Sequence, residues 1–143
     1  MSLDELIAAI RADDLDAVDR LIAADPGLAA ETDAEGLTPV IQARYWFKRP
    51  ALERLLAVRG DDLDIFEAAM TGRADLVRAH LAREPALAQT WSPDGFTALH
   101  YPAFFGGIEV AEALVDAGAD LDAVSRNAME ALAERLGRPS LDA

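Results

Sequence analysis

Laid over itself with a displacement of 59 residues, the chain pairs Ala9 with Ala68, Asp16 with Asp75, Val18 with Val77, Ala23 with Ala82 and Pro26 with Pro85. The match continues with Leu28 on Leu87, Ala29 on Ala88, Gly36 on Gly95 and Thr38 on Thr97. These nine identities over the 33 positions from Leu6 to Thr38 exceed the roughly three or four that an Ala/Leu/Asp-rich composition gives by chance. A displacement of 34 lays Ala69 on Ala103, Gly72 on Gly106, Asp75 on Glu109 and Leu76 on Val110. The 59-residue stretch therefore divides into two smaller units. Repeated units of this size cannot each bury an apolar face alone, so the chain is constrained to stack them.

Each unit follows one pattern: a short apolar helix, a tight turn, a longer amphipathic helix, then a breaker. The spacing predicts helices over 3–11 and 15–24, ended by Asp25-Pro26-Gly27, and over 63–70 and 75–83, ended by Glu84-Pro85, where proline forbids continuation. A helix over 108–117 puts Ile108, Val110, Ala111, Leu114 and Val115 on one face and Glu109, Glu112 and Asp116 on the other. Gly118 suits the left-handed residue that closes it. No segment alternates with period two over a useful length, so the expected class is all-α.

The length of 143 residues fits a single domain over 1–143. With no cysteine, disulfides, thiolate zinc sites and cysteine nucleophiles are excluded, and a reducing compartment is the default. The net charge of −13 and pI near 4.4 repel a phosphate backbone, which excludes a nucleic-acid partner. The start, MSLDEL, is acidic where a signal peptide is basic, and the uncharged run from Gly95 to Ile108 is broken by Pro102, Gly106 and Gly107. Neither secretion nor membrane spanning is indicated, and the expected location is cytoplasmic.

The strings GFTALH at 95–100, AFFGG at 103–107 and VAEALVDAGADLDA at 110–123, with a weaker copy EGLTPV at 35–40 followed by Leu52, Leu55 and Leu56, resemble an ankyrin repeat of the small bacterial type. The resemblance implies a solenoid of about four helix-turn-helix repeats, near 1–34, 35–62, 63–92 and 93–125, with a partial C-terminal capping helix over 126–143. Local chemistry agrees with it. Thr38-Pro39 supplies a capping hydroxyl and a proline at the first helical position, and Gly36 and Gly95 suit the tight turn before each inner helix. Some positions depart from the pattern. Repeat two is short, Gly107 stands at the family's second histidine position, and Pro102 lies inside an inner helix that must either kink or begin late. Ala128–Leu136 can form an inner helix whose outer partner is incomplete, giving an abbreviated cap or the cut end of a longer protein.

Candidate chemistry is sparse. The resemblance implies a structural role for His100, in hydrogen bonds to neighbouring loops and threonines, and His80 falls on an outer helix. The acidic runs Asp13-Asp14-Leu15-Asp16 and Asp61-Asp62-Leu63-Asp64 lack the glycine and closing glutamate of a calcium loop, and acidic residues before helices are expected from capping. No G-x-S-x-G or P-loop string occurs, and Glu109 and Glu112 sit on a solvent-facing side, without the burial that raises a carboxyl pKa. No enzyme activity, cofactor or metal is expected.

The informative cluster is aromatic. The two residues before the turn glycine face the concave groove in the family. Here they are Phe104-Phe105, with counterparts Tyr45-Trp46, Met70-Thr71 and Arg11-Ala12. Tyr45, Trp46, Met70, Phe104 and Phe105 are expected along an inner face, joined at the fingertips by Leu37 and Phe96, although Trp46 and Phe105 can instead pack between repeats. Residues 1–36 carry net −8, whereas 37–60 carry net +4 from Arg44, Lys48, Arg49, Arg54 and Arg59 against Glu53. This basic collar either steers a partner segment bearing a carboxylate or pairs with the acidic first repeat. The expected function is a non-catalytic interaction module. A protein or peptide would bind its concave face through Tyr45, Trp46, Met70, Phe96, Phe104 and Phe105, with Arg44 and Lys48 steering. The alternative is a self-associating structural unit, a homodimer closed through apolar surface such as Met129, Leu132 and Leu136.

Overall fold

The computed structural model describes residues 2–93 and 95–120. The chain divides into two compact units, Met1–Leu63 and Asp64–Ala143. The regular elements among the described residues are eight α-helices and two short 3-10 turns, with one isolated bridge between Trp91 and Thr97 and no strand. The expected partial cap over 126–143 lies outside the described residues.

The first unit holds α1 (Leu3–Arg11), α2 (Leu15–Ala24), a 3-10 turn over Pro26–Ala30, α3 (Pro39–Tyr45) and α4 (Arg49–Arg59). The Ser2 side chain caps α1 and Asp14 caps α2, accepting from the N–H groups of Glu5 and Ala17. Thr38 Oγ1 accepts from the Ile41 N–H at 3.4 Å, with Pro39 at the first helical position, as the sequence implies. Helix α1 packs on α2 and α3, and α4 packs on α2 and α3. Their apolar stripes enclose a core that includes Leu6, Ile10, Val18, Leu21, Val40 and Leu55. Two ion pairs tie the second helix pair to the first across 35 residues: Lys48–Asp13 at 2.9 Å and Arg54–Asp19 at 2.8 Å.

The second unit holds α5 (Ile65–Met70), α6 (Ala74–Arg83), a 3-10 turn over Pro85–Gln89, α7 (His100–Phe105) and α8 (Ile108–Asp116). Helix α5 starts from a reciprocal cap, in which the Asp64 carboxylate accepts from the Glu67 N–H and the Glu67 carboxylate accepts from the Asp64 N–H. Asp64, the last residue of the acidic run at 61–64, thus serves helix initiation. Of the two options left open at Pro102, the structure takes the late start: α7 begins at His100, two residues after the position equivalent to the start of α3. Pro102 then occupies the first turn, where a backbone N–H has no helical partner to lose. Gly118, at φ +91, closes α8 through its N–H to Val115 O and the Ala119 N–H to Leu114 O.

The 59-residue repeat is visible as hydrogen bonding. Asp33 N–H donates to Leu37 O and Gly36 N–H to Asp33 O; 59 residues on, Ser92 N–H donates to Phe96 O and Gly95 N–H to Ser92 O. Gly36 and Gly95 adopt φ +84 and +87, a conformation costly for any residue with a Cβ. Side chains complete both turns: Asp33 Oδ1 accepts from the N–H groups of Glu35 and Leu37, and Ser92 Oγ from that of Phe96.

Candidate functional site

In the first unit, the end of α3 carries Tyr45 and Trp46, both half-buried. Trp46 lays part of its indole against the core and holds the Arg11 guanidinium over its ring, 4.2 Å from the centroid. Between α1, the 33–37 turn and α3 lies a cleft of about 410 Å³, lined by Tyr45, Trp46, Leu37, Gln42, Ala34, Arg11 and three carboxylates, Asp4, Asp33 and Glu35. Asp33 is committed to the turn and to Gln42, whose Nε2 donates to Asp33 Oδ2 at 3.2 Å. Asp4 and Glu35 are exposed on the rim.

The basic collar has two fates. Lys48 is three-quarters covered and bonded to Asp13, and Arg54 is bonded to Asp19, so pairing with the acidic first repeat is what the structure shows for both. Arg44 is half-buried; burial, and secondarily the charge of Arg49, push its pKa below the ordinary arginine value. Each of the surface pairs contributes about 1 kcal/mol or less.

In the second unit, Phe96 meets Phe104 edge-on at 6.1 Å, His100 at 5.0 Å and Tyr101 at 6.5 Å. Phe104 is 42% exposed, and Phe96 and Phe105 are half-buried. Met70 departs from the expected accessible set. It is 1% exposed, because α5 packs on α6 and α7 and buries five of its six residues. His100 is fully buried; its Nδ1 accepts the Thr97 N–H at 2.9 Å and lies 3.0 Å from Thr97 Oγ1. That is the structural role the resemblance implies. No group of three or more metal-ligating side chains gathers among the described residues, and no described helix is long and apolar enough to cross a membrane.

Two exposed aromatics were not singled out by sequence reasoning. Trp91, 54% exposed, lies 6.3 Å from the His100 ring; its counterpart at the 59-residue displacement is Thr32, so the repeat carried no signal. Phe47, 75% exposed, has φ +55. Its counterparts are Asp13 at φ +56, Gly72 at +78 and Gly106 at +85. The same self-alignment that finds Tyr45 and Trp46 places Phe47 on a glycine, and that substitution was the readable signal.

Helix pairs repeated in sequence, with matching turns at 33–37 and 92–96, define a helical-repeat protein. Residues 94–126 match the family model for the ankyrin repeat. Over residues 94–126 the chain thus carries an ankyrin repeat. It is 33% identical over 117 residues to alpha-latrocrustotoxin-Lt1a of Latrodectus tredecimguttatus, a match covering 76% of this chain and 8% of the toxin. It is 42% identical over 67 residues to the probable E3 ubiquitin-protein ligase XBOS31 of Oryza sativa subsp. japonica, covering 46% of this chain and 15% of that protein. It is also 42% identical over 69 residues to the E3 ubiquitin-protein ligase XB3 of the same plant, covering 48% and 15%. The matches thus span a small part of each curated relative. Ankyrin repeats are in general protein–protein interaction modules and typically non-catalytic.

Proposed function

We propose that this chain is a non-catalytic interaction module that binds a protein or peptide through the ends of its inner helices: Tyr45 and Trp46 in the first unit, Phe104 and Phe105 with Phe96 in the second. One observation carries the reading. At the same repeat address, 59 residues apart, both units leave large aromatic side chains partly open to solvent, and aromatics held in this way are the usual anchors of protein interfaces. Arg44 and Lys48 flank Tyr45 and Trp46, but the ion pair between Lys48 and Asp13 shifts the charged contribution to the neighbouring carboxylates. The test is capture of partners from a cell extract on the immobilised chain, repeated with Tyr45→Ala/Phe104→Ala. Loss of the captured proteins with an unchanged circular dichroism spectrum supports the reading, and equal capture by a folded variant defeats it.

Self-association is the second reading, favoured by the exposure of Ile108 (76%) and Val115 (42%) on α8. The Met129, Leu132 and Leu136 surface that also suggested it lies outside the described residues. Light-scattering mass across a wide concentration range tests it, and a concentration-independent monomer rejects it.

A further inference from the structure

We propose that the first-unit cleft receives a basic segment of the partner protein, with the stem of a lysine or arginine on Tyr45 and Trp46 and its charge met by Asp4 and Glu35. This rests on the interaction reading above and reverses the sign of partner that the basic collar suggests in the sequence.

Three observations converge. First, the cleft is about 410 Å³, within the roughly 300–1,000 Å³ of pockets that hold a specific group, and the Tyr45 and Trp46 rings form part of its lining. A long cationic side chain buries its methylenes on such a surface while its head stays at the rim. Second, the indole is already a cation acceptor in this fold, because the Arg11 guanidinium sits 4.2 Å from the Trp46 centroid. Third, the charge balance favours a cation. Three carboxylates line the cleft against Arg11 alone, the Lys48 charge is directed to Asp13, and neither Asp4 nor Glu35 has an ion-pair partner among the described residues. An acidic segment would meet Asp4, Asp33 and Glu35 at close range, whereas a basic one is drawn in by them and by the whole chain's net charge of −13.

The protein has two tryptophans, so Trp91→Phe leaves Trp46 as the sole tryptophan, read by excitation at wavelengths where tyrosine does not absorb. Into this full-length variant we would titrate a ten-residue peptide of alternating arginine and serine, and the same peptide with citrulline, a neutral near-isostere, at every arginine. The expected result is a saturable change in Trp46 emission with the arginine peptide and affinity at least about tenfold weaker with citrulline. Asp4→Asn/Glu35→Gln should weaken arginine-peptide binding roughly fivefold or more, as two exposed ion pairs allow, while Glu109→Gln/Glu112→Gln, an equal charge loss on α8, leaves it unchanged. Equal weakening by both double variants overturns the proposal, because bulk charge then explains the binding. Equal affinity for the citrulline peptide also overturns it, yet leaves the groove reading standing. If neither peptide perturbs Trp46 the cleft assignment fails, and the interaction reading is judged separately by Tyr45→Ala/Phe104→Ala capture.

Discussion

Phe47 and Asp13 hold the left-handed turn that glycine holds in the other two helix pairs. Aspartate tolerates that conformation, but a phenylalanine there carries about 1–2 kcal/mol of backbone cost, and Phe47, at 75% exposure, regains little of it by burial. Phe47→Gly is therefore expected to raise the urea midpoint, with a gain in unfolding free energy of about 0.5–1 kcal/mol after the extra unfolded-state entropy of glycine is deducted. Reduced partner capture by the same variant would mark Phe47 as an interface residue held against its own stability. Met70 and Phe104 share a repeat address and end in opposite surroundings, 1% against 42% exposed. Met70→Ala should cost about 2–5 kcal/mol and Phe104→Ala about 1 kcal/mol, in parallel urea denaturations. Similar costs for the two would contradict these placements. What could be read in advance at this scale was local: the Thr38 cap, Gly118 and the structural His100 each depend on neighbours a few residues away. The burial of Met70 and the Lys48–Asp13 pair depend on how helices far apart in the chain pack, and no window of sequence contains that.

Helix boundaries were legible wherever a cap or breaker stands beside an amphipathic stripe. Helices α1 and α2 fall on 3–11 and 15–24 as expected, since Asp14 and the Pro26-Gly27 breaker define their ends. The expected 63–70 helix begins instead at Ile65, because the Asp64 side chain, by accepting the Glu67 N–H, makes itself the cap. Pro102 has the largest effect on an element. Without an N–H it cannot bond Ala98 O, and in its absence α7 has no reason to start later than α3. Pro102→Ala is expected to extend α7 back to Ala98, read as hydrogen-exchange protection of the amide that the substitution introduces and a helical signal gained at 98 and 99 by NMR. If that new amide exchanges freely, the buried Thr97–His100 hydrogen bond, rather than the proline, determines where the helix begins.

At the scale of the whole molecule, charge governs what conditions do. Twenty-six carboxylates face thirteen lysines and arginines, so every compact state works against net repulsion, while the Lys48–Asp13 and Arg54–Asp19 pairs work in favour of it. Added salt screens both, because the Debye length falls from about 30 Å at 0.01 M to about 8 Å at 0.15 M. The repulsion is summed over a net −13 and acts at long range, whereas each exposed pair is worth about 1 kcal/mol at most and acts at contact, where screening is weakest. Repulsion should therefore lose more, and the unfolding midpoint is expected to rise by several degrees between about 10 and 200 mM NaCl, at roughly 2–8 °C for each kcal/mol in domains of this size. Binding of an arginine peptide must move the other way over the same range, because the attraction that brings the cation to Asp4 and Glu35 is screened as well. Opposite salt slopes for stability and affinity, measured by thermal denaturation and by the Trp46 titration, are the joint expectation. A midpoint that falls with salt would mean that the two bridging pairs outweigh the net charge. An affinity indifferent to salt would mean that Tyr45 and Trp46, without the carboxylates, hold the ligand.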